Sequence, residues 1–227
     1  KPLTAVTAMQ LVEKKELDLN ADVRQYVPEF PDKKVAITSR DLLCHQGGIS
    51  HYSTVVNLLN PPQTYTKPHP FEDVVVALDV FKNAPLVCQP REKFNYSTYG
   101  FILLSAVVER AGHEKFSTQV QNRIARPLGM VTLQPDYQWL NIPNRAVGYL
   151  KRNGKTVRST DTDVSFKLGG GGFISNIDDF ARFAAGLINR KLVSESSETA
   201  MWTPQKLGDG KPTTYGFGFR CVKTADG

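Results

Sequence analysis

Residues 2–16 constrain the fold more than any other stretch of the chain. Leu3, Ala5, Val6, Ala8, Met9, Leu11 and Val12 put apolar side chains around most of a helical circumference, until Glu13, Lys14, Lys15 and Glu16 end the run. Pro2 suits only a first helical turn, where its missing N–H costs nothing. A helix apolar on nearly every side needs partners on several sides, so the rest of the chain must enclose it.

The chain can do so. Its 227 residues are 41% hydrophobic and 22% charged, enough to fill an interior and wet a surface, which excludes disorder as the overall state. No internal repeat and no long linker divides it, so a single domain over 1–227 is expected. The longest near-apolar run, Phe101 to Val108, is far shorter than the roughly 20 residues that cross a bilayer. No transmembrane segment is expected.

Charge and metal-binding residue types narrow the function. Twenty-eight Lys and Arg against 22 Asp and Glu give a net charge of +6. The basic pairs Lys14-Lys15, Lys33-Lys34 and Lys151-Arg152 are dispersed and read as solvated helix ends or turns, so no nucleic-acid partner is expected. Cys44, Cys88 and Cys221 show no CxxC spacing, and an odd count leaves at least one thiol free within one chain. The histidines form no HExxH. Asp18, Asn20, Asp22 and Glu29 match calcium-loop positions, but Val23 stands where that loop needs glycine. A surface loop is expected there, and no metal or cofactor.

Several helices are legible. Thr38-Ser39-Arg40-Asp41 is a capping box before Leu42-Leu43, with a stop at Gln46-Gly47-Gly48. The spacing of Phe71, Val74, Val75, Leu78 and Phe81 predicts a helix over 71–81 after a proline-rich loop at 60–70. Phe101 to Val108 predicts a buried helix with Gly112 at C′. Phe116, Val120 and Ile124 continue in a helix closed by Pro127-Leu128-Gly129. Ser175-Asn176-Ile177-Asp178 caps a helix with Ile177, Phe180, Phe183, Ala184, Leu187 and Ile188 on one side, and a short helix follows Ser194. Residues 131–168 read as loop and short strand. Tyr215, Phe217, Phe219 and Cys221 alternate with Gly216, Gly218, Arg220 and Val222, which predicts a strand paired from elsewhere.

Two features carry chemistry. Tyr96 precedes the buried helix, where its hydroxyl could be presented at the helix mouth and a neighbouring cation would favour its ionised form; packing with a hydrogen-bonded hydroxyl is the plainer alternative. Gly169 to Gly172 allow close backbone approach, to a ligand or to another element; a turn feeding the capped helix that follows is the plainer alternative. There is no GxSxG elbow, which excludes that serine-hydrolase arrangement.

Taken in order, these segments resemble one family. Lys1-Pro2-Leu3-Thr4 onward resembles the helix that opens with Ser-x-x-Lys in penicillin-recognising serine hydrolases of the class C beta-lactamase type. The stretch Glu16 to Val23, the segment Ile37 to Ile49 with Leu42-Leu43-Cys44-His45-Gln46-Gly47-Gly48, and Ala125-Arg126-Pro127-Leu128-Gly129-Met130 each resemble a family segment. Tyr96-Ser97-Thr98 resembles its Tyr-x-Asn element, and Gly170-Gly171-Gly172-Phe173-Ile174-Ser175 with Asp178-Asp179-Phe180 resembles its glycine-rich helix start. The pattern is most similar to the mitochondrial serine beta-lactamase-like proteins and their bacterial relatives.

The resemblance implies an α+β fold, an antiparallel sheet flanked by helices beside a large helical region. It implies a serine hydrolase that forms an acyl-enzyme on a small acyl substrate, whether ester, peptide or beta-lactam; a catalytically silent scaffold or assembly module of the same fold is the alternative. Lys1 and Tyr96 take the catalytic positions, and Thr98, Gly170 and Gly171 the substrate-binding ones. Thr98 replaces the family's asparagine, so one hydroxyl stands in for an amide with two donors, favouring esters or altered peptides over beta-lactams. The matching serine belongs three residues ahead of Lys1 and the Lys/His-x-Gly strand beyond Gly227. The expected domain is therefore incomplete at both ends and lacks part of its sheet, and residues 1–227 alone are expected not to turn over. An exported or periplasmic location suits a bacterial member and a mitochondrial one its eukaryotic relatives; oligomeric state is left open.

Overall fold

A computed structural model describes residues 1–53 and 65–222, so the first part of the proline-rich loop expected at 60–70 lies outside the described residues. Helix α1 (Pro2–Glu13) buries Thr4 to Met9 and Leu11. Its enclosure comes mainly from α3 (Thr98–Ala111), with α4 (Phe116–Val120), α5 (Leu168–Gly171) and α7 (Glu195–Trp202) on other sides. The hydrophobic cluster around these helices runs from Ala5 to Phe217.

Local signals set the helix starts. In α2 (Ser39–Leu43) the Thr38 hydroxyl accepts from Asp41 N at 3.2 Å and Thr38 N donates to Asp41 Oδ2 at 3.0 Å, the reciprocal box expected of that sequence. Ser97 caps α3 by accepting from Gly100 N at 2.9 Å. Asn176, inside the expected capping segment, caps α6 (Ile177–Ile188) through Asp179 N. Ser194 caps α7 through Ser197 N. Helix α4 continues into a π-helical turn, Gln121–Ala125, before the Pro127-Leu128-Gly129 stop.

The strands are few. β1 (Gln134–Pro135) pairs antiparallel with β4 (Phe173–Ile174), and β2 (Tyr149–Arg152) pairs antiparallel with β3 (Lys155–Arg158) in an exposed hairpin. Helices beside small antiparallel sheets make the chain α+β, as expected.

Five expectations need correction. Residues 71–81 form no continuous α-helix but two 3₁₀ turns, Pro70–Glu72 and Val76–Val80. Between them the Asp73 carboxylate accepts from Val75 N at 2.9 Å, offering the backbone a local bond in place of a helical one. The alternating segment 215–222 forms no extended strand. Gly216 N donates to Phe219 O, Cys221 N donates to Thr214 O, and Gly218 turns the chain at φ +80°, a left-handed conformation open to glycine. That tight turn instead packs on α2 and α7, where Gly218 N reaches Leu43 O and Phe217 N reaches Met201 O. Gly112 has φ −89°, and His113 takes the left-handed position; the Gln119 side chain fills the space against Gly112. The alternation over 17–27 is no plain surface loop, since Leu17, Leu19, Val23 and Val27 are buried. On α6 the apolar side is divided: Phe183 and Leu187 are buried, while Ile177, Phe180 and Ile188 are exposed.

Two of the four glycines, Gly169 and Gly170, serve helix packing. A Cβ on Gly169 would stand 2.4 Å from Ser105 Cβ and 2.5 Å from the Phe101 carbonyl, and one on Gly170 would stand 2.4 Å from Thr98 Cγ2. Only glycine lets α5 lie this close to α3. The Thr4 hydroxyl then donates to Gly169 O at 2.6 Å, tying α1 to the same pair.

Candidate active site

The N-termini of α1 and α3 meet beside α5. Lys1, at the N-cap of α1, donates from Nζ to Gly170 O at 2.8 Å, and the same amine lies 4.7 Å from the centre of the Tyr96 ring and 5.7 Å from that of Phe101. The cation therefore sits against the Tyr96 ring, not hydrogen-bonded to its hydroxyl, and the ring face is attractive to it. Tyr96 is 46% exposed.

Tyr96 is held by its neighbours in sequence. Asn95 N donates to His45 O at 2.8 Å, and Ser97 N donates to His45 Nδ1 at 3.1 Å. Asn95 Nδ2 donates to Ile49 O, and the Ser97 hydroxyl to Ser50 O. The backbone on either side of Tyr96 is thus sewn to residues 45–50.

His45 is 2% exposed and lies within a ring of aromatics, 4.3 Å from Tyr96, 4.8 Å from Tyr215 and 5.0 Å from Phe101, centre to centre. Because its Nδ1 accepts a backbone N–H, its proton must sit on Nε2. Burial, and after it the Lys1 charge, pushes its pKa down to about 3, so it is neutral near pH 7. Burial also raises Tyr215, with Tyr96 adding to the effect.

Thr98 opens α3 and is 4% exposed. Its Oγ1 lies 3.3 Å from His51 Nε2 and its methyl packs against Gly170. Gly171 is exposed, with open space where a Cβ would stand. Of the five residues singled out in the sequence, Lys1 therefore meets both Tyr96 and Gly170, Thr98 meets Gly170 with its methyl, and Gly171 follows Gly170 in the chain. His45, His51 and Tyr215 were not foreseen as site residues. His45 stands inside the quoted Leu-Leu-Cys-His segment, but its bond to Ser97 spans too much sequence for any local pattern to show.

Among the described residues, no three His, Cys, Asp or Glu side chains gather as a metal ligand set, and no helix is long and apolar enough to cross a membrane. Two cavities of about 430 and 440 Å³ lie near the start of α6, lined in part by Thr132, Ile174, Phe173 and Phe180; neither includes Lys1 or Tyr96.

The same architecture occurs in a penicillin-binding protein from Bacillus halodurans, which matches with a TM-score of 0.75 over 99% of this chain and 69% of its own, at 22% identity. This is the beta-lactamase/transpeptidase-like fold. The family model described as Beta-lactamase matches residues 1–227, and the chain belongs to that family. It is 30% identical over 250 residues to the serine beta-lactamase-like protein LACTB, mitochondrial, of Homo sapiens, covering 83% of this chain and 46% of that protein. It is 27% identical over 233 residues to penicillin-binding protein 4* of Bacillus subtilis (strain 168), covering 96% and 50%. The chain spans about half the length of the curated relatives it matches.

Proposed function

We propose that residues 1–227 form one domain of a serine acyl hydrolase that works through an acyl-enzyme on esters, peptides or beta-lactams. The observation that carries this reading is the Lys1 amine, pinned at 2.8 Å by Gly170 O and set 4.7 Å over the Tyr96 ring. The family's serine, three residues ahead of Lys1 on an extension of α1, would stand on the same helical face as the amine. Its Oγ attacks the acyl carbonyl as its proton passes to the Lys1–Tyr96 pair in the form that carries one proton fewer, amine with phenol or ammonium with phenolate; the pair then gives that proton to the leaving group, and water repeats the sequence on the acyl-enzyme. Thr98 and the Gly170–Gly171 backbone line the acyl side.

Covalent labelling of the full-length protein by a fluorophosphonate or a fluorescent penicillin tests the reading. Labelling with turnover is the expected result. Absence of labelling with an intact Ser-x-x-Lys identifies a silent scaffold of the same fold. Thr98 sets the substrate preference in this scheme, because a hydroxyl offers one donor where an amide offers two. Thr98→Asn therefore raises the rate on a p-nitroanilide relative to the matching p-nitrophenyl ester by about tenfold, the worth of one added hydrogen bond. An unchanged ratio would remove Thr98 from substrate selection.

A further inference from the structure

The Thr98 side chain is held from two sides. Its methyl fills the space above Gly170, and its Oγ1 faces His51 Nε2 at 3.3 Å, so its rotamer is set by packing and polarity together. Which atom donates follows from the other side of the imidazole ring. Ser53 N donates to His51 Nδ1 at 3.1 Å, and a backbone N–H has no alternative role. Nδ1 must therefore present its lone pair, and the proton of the neutral ring sits on Nε2. Nε2–H donates and Thr98 Oγ1 accepts.

One proton is then left over. The Thr98 hydroxyl hydrogen has no acceptor among the described residues, although the residue is only 4% exposed. A buried donor without an acceptor is costly, so a fold that keeps one has a use for it. The ring that creates this donor is itself held, with Tyr52 4.0 Å and Tyr96 5.8 Å away, centre to centre. Thr98 stands against Gly170, whose carbonyl holds the Lys1 amine.

We infer that His51 is a positioning residue for substrate binding: its Nε2–H turns the Thr98 hydroxyl so that the hydroxyl proton is offered to a carbonyl oxygen of the bound acyl compound. This rests on the acyl-hydrolase reading above. The ligand group recognised is an amide or ester carbonyl next to the bond that is cut, and the contact exists in both the ground and the transition state. Its loss therefore appears in KM with little change in kcat.

The test is a double-mutant cycle in the full-length protein, read with a p-nitrophenyl ester and the matching p-nitroanilide. Thr98→Val, which keeps the shape and removes the hydroxyl, raises KM about tenfold. His51→Leu raises KM by a similar factor, and His51→Gln, whose amide can donate from nearly the same place, recovers most of it. In the Thr98→Val background His51→Leu adds almost nothing, because the hydroxyl it aligned is gone. Equal, additive effects of His51→Leu in both backgrounds overturn the inference, as does a loss confined to kcat. The ring tautomer supplies a readout independent of turnover: long-range ¹H–¹⁵N spectra are expected to show His51 protonated at Nε2, and protonation at Nδ1 instead overturns it. If the wild type neither labels nor turns over, the hydrolase reading falls and this one with it; if the wild type is active and the cycle is additive, this one alone falls.

Discussion

Replacing Tyr96 by phenylalanine in the full-length protein lowers acyl turnover by roughly 10²–10⁴-fold, the range for loss of a positioned proton-transfer group. The fold survives the change. The Tyr96 hydroxyl makes no hydrogen bond among the described residues, and phenylalanine keeps the ring that packs 4.3 Å from His45 and under the Lys1 amine. A loss of rate with an unaltered melting temperature therefore reports chemistry and not packing. The measurement is kcat on a p-nitrophenyl ester together with thermal unfolding; a wild-type rate takes Tyr96 out of the mechanism.

Acidification destabilises the protein through His45. The ring is neutral in the folded state down to about pH 3, whereas in the unfolded chain it takes a proton near pH 6.5. Between those values the unfolded state binds more protons, so the stabilising effect of keeping the ring neutral is present above pH 6.5 and is lost as pH falls toward 3. Well inside that window each unit costs on the order of 1 kcal/mol from this residue alone. Guanidinium unfolding at pH 7, 6 and 5 checks it, a range in which most unperturbed carboxylates remain largely ionised. His45→Gln, less stable at pH 7 through lost packing, is expected to show a flatter slope than the wild type. Equal slopes would mean that His45 is protonated in the folded protein and does not pack as a neutral ring among Tyr96, Phe101 and Tyr215.

The sequence was most legible where the cause is local. α1 follows from its all-round apolar run, α2 from the Thr38–Asp41 box, and α6 and α7 from Asn176 and Ser194 at their starts. Periodicity misled where a side chain competes with the helix, as Asp73 does by accepting from Val75 N. It misled again at 215–222, where alternating aromatic and glycine residues serve a tight turn wedged against α2 and α7; nothing in a period-2 pattern distinguishes that use from a strand. The candidate site divides in the same way. Lys1, Tyr96, Thr98 and Gly170 were named by resemblance to a family, since no physical rule links residues so distant in the chain. His45 and His51 act through bonds to Ser97 and Thr98, partners far along the sequence, and only coordinates could pair them.

The stitching of residues 95–97 to 45–50 has a consequence for when the site exists at all. Lys1 rides on one helix, Tyr96 on a strip of backbone fastened to a different part of the chain, and they face each other only once both have docked on the core. Encounters between segments so remote in sequence are slow and late in folding. A partial opening that frees 45–50 would leave most helices standing while separating amine from phenol, so the protein can lose its candidate chemistry well before it loses its shape.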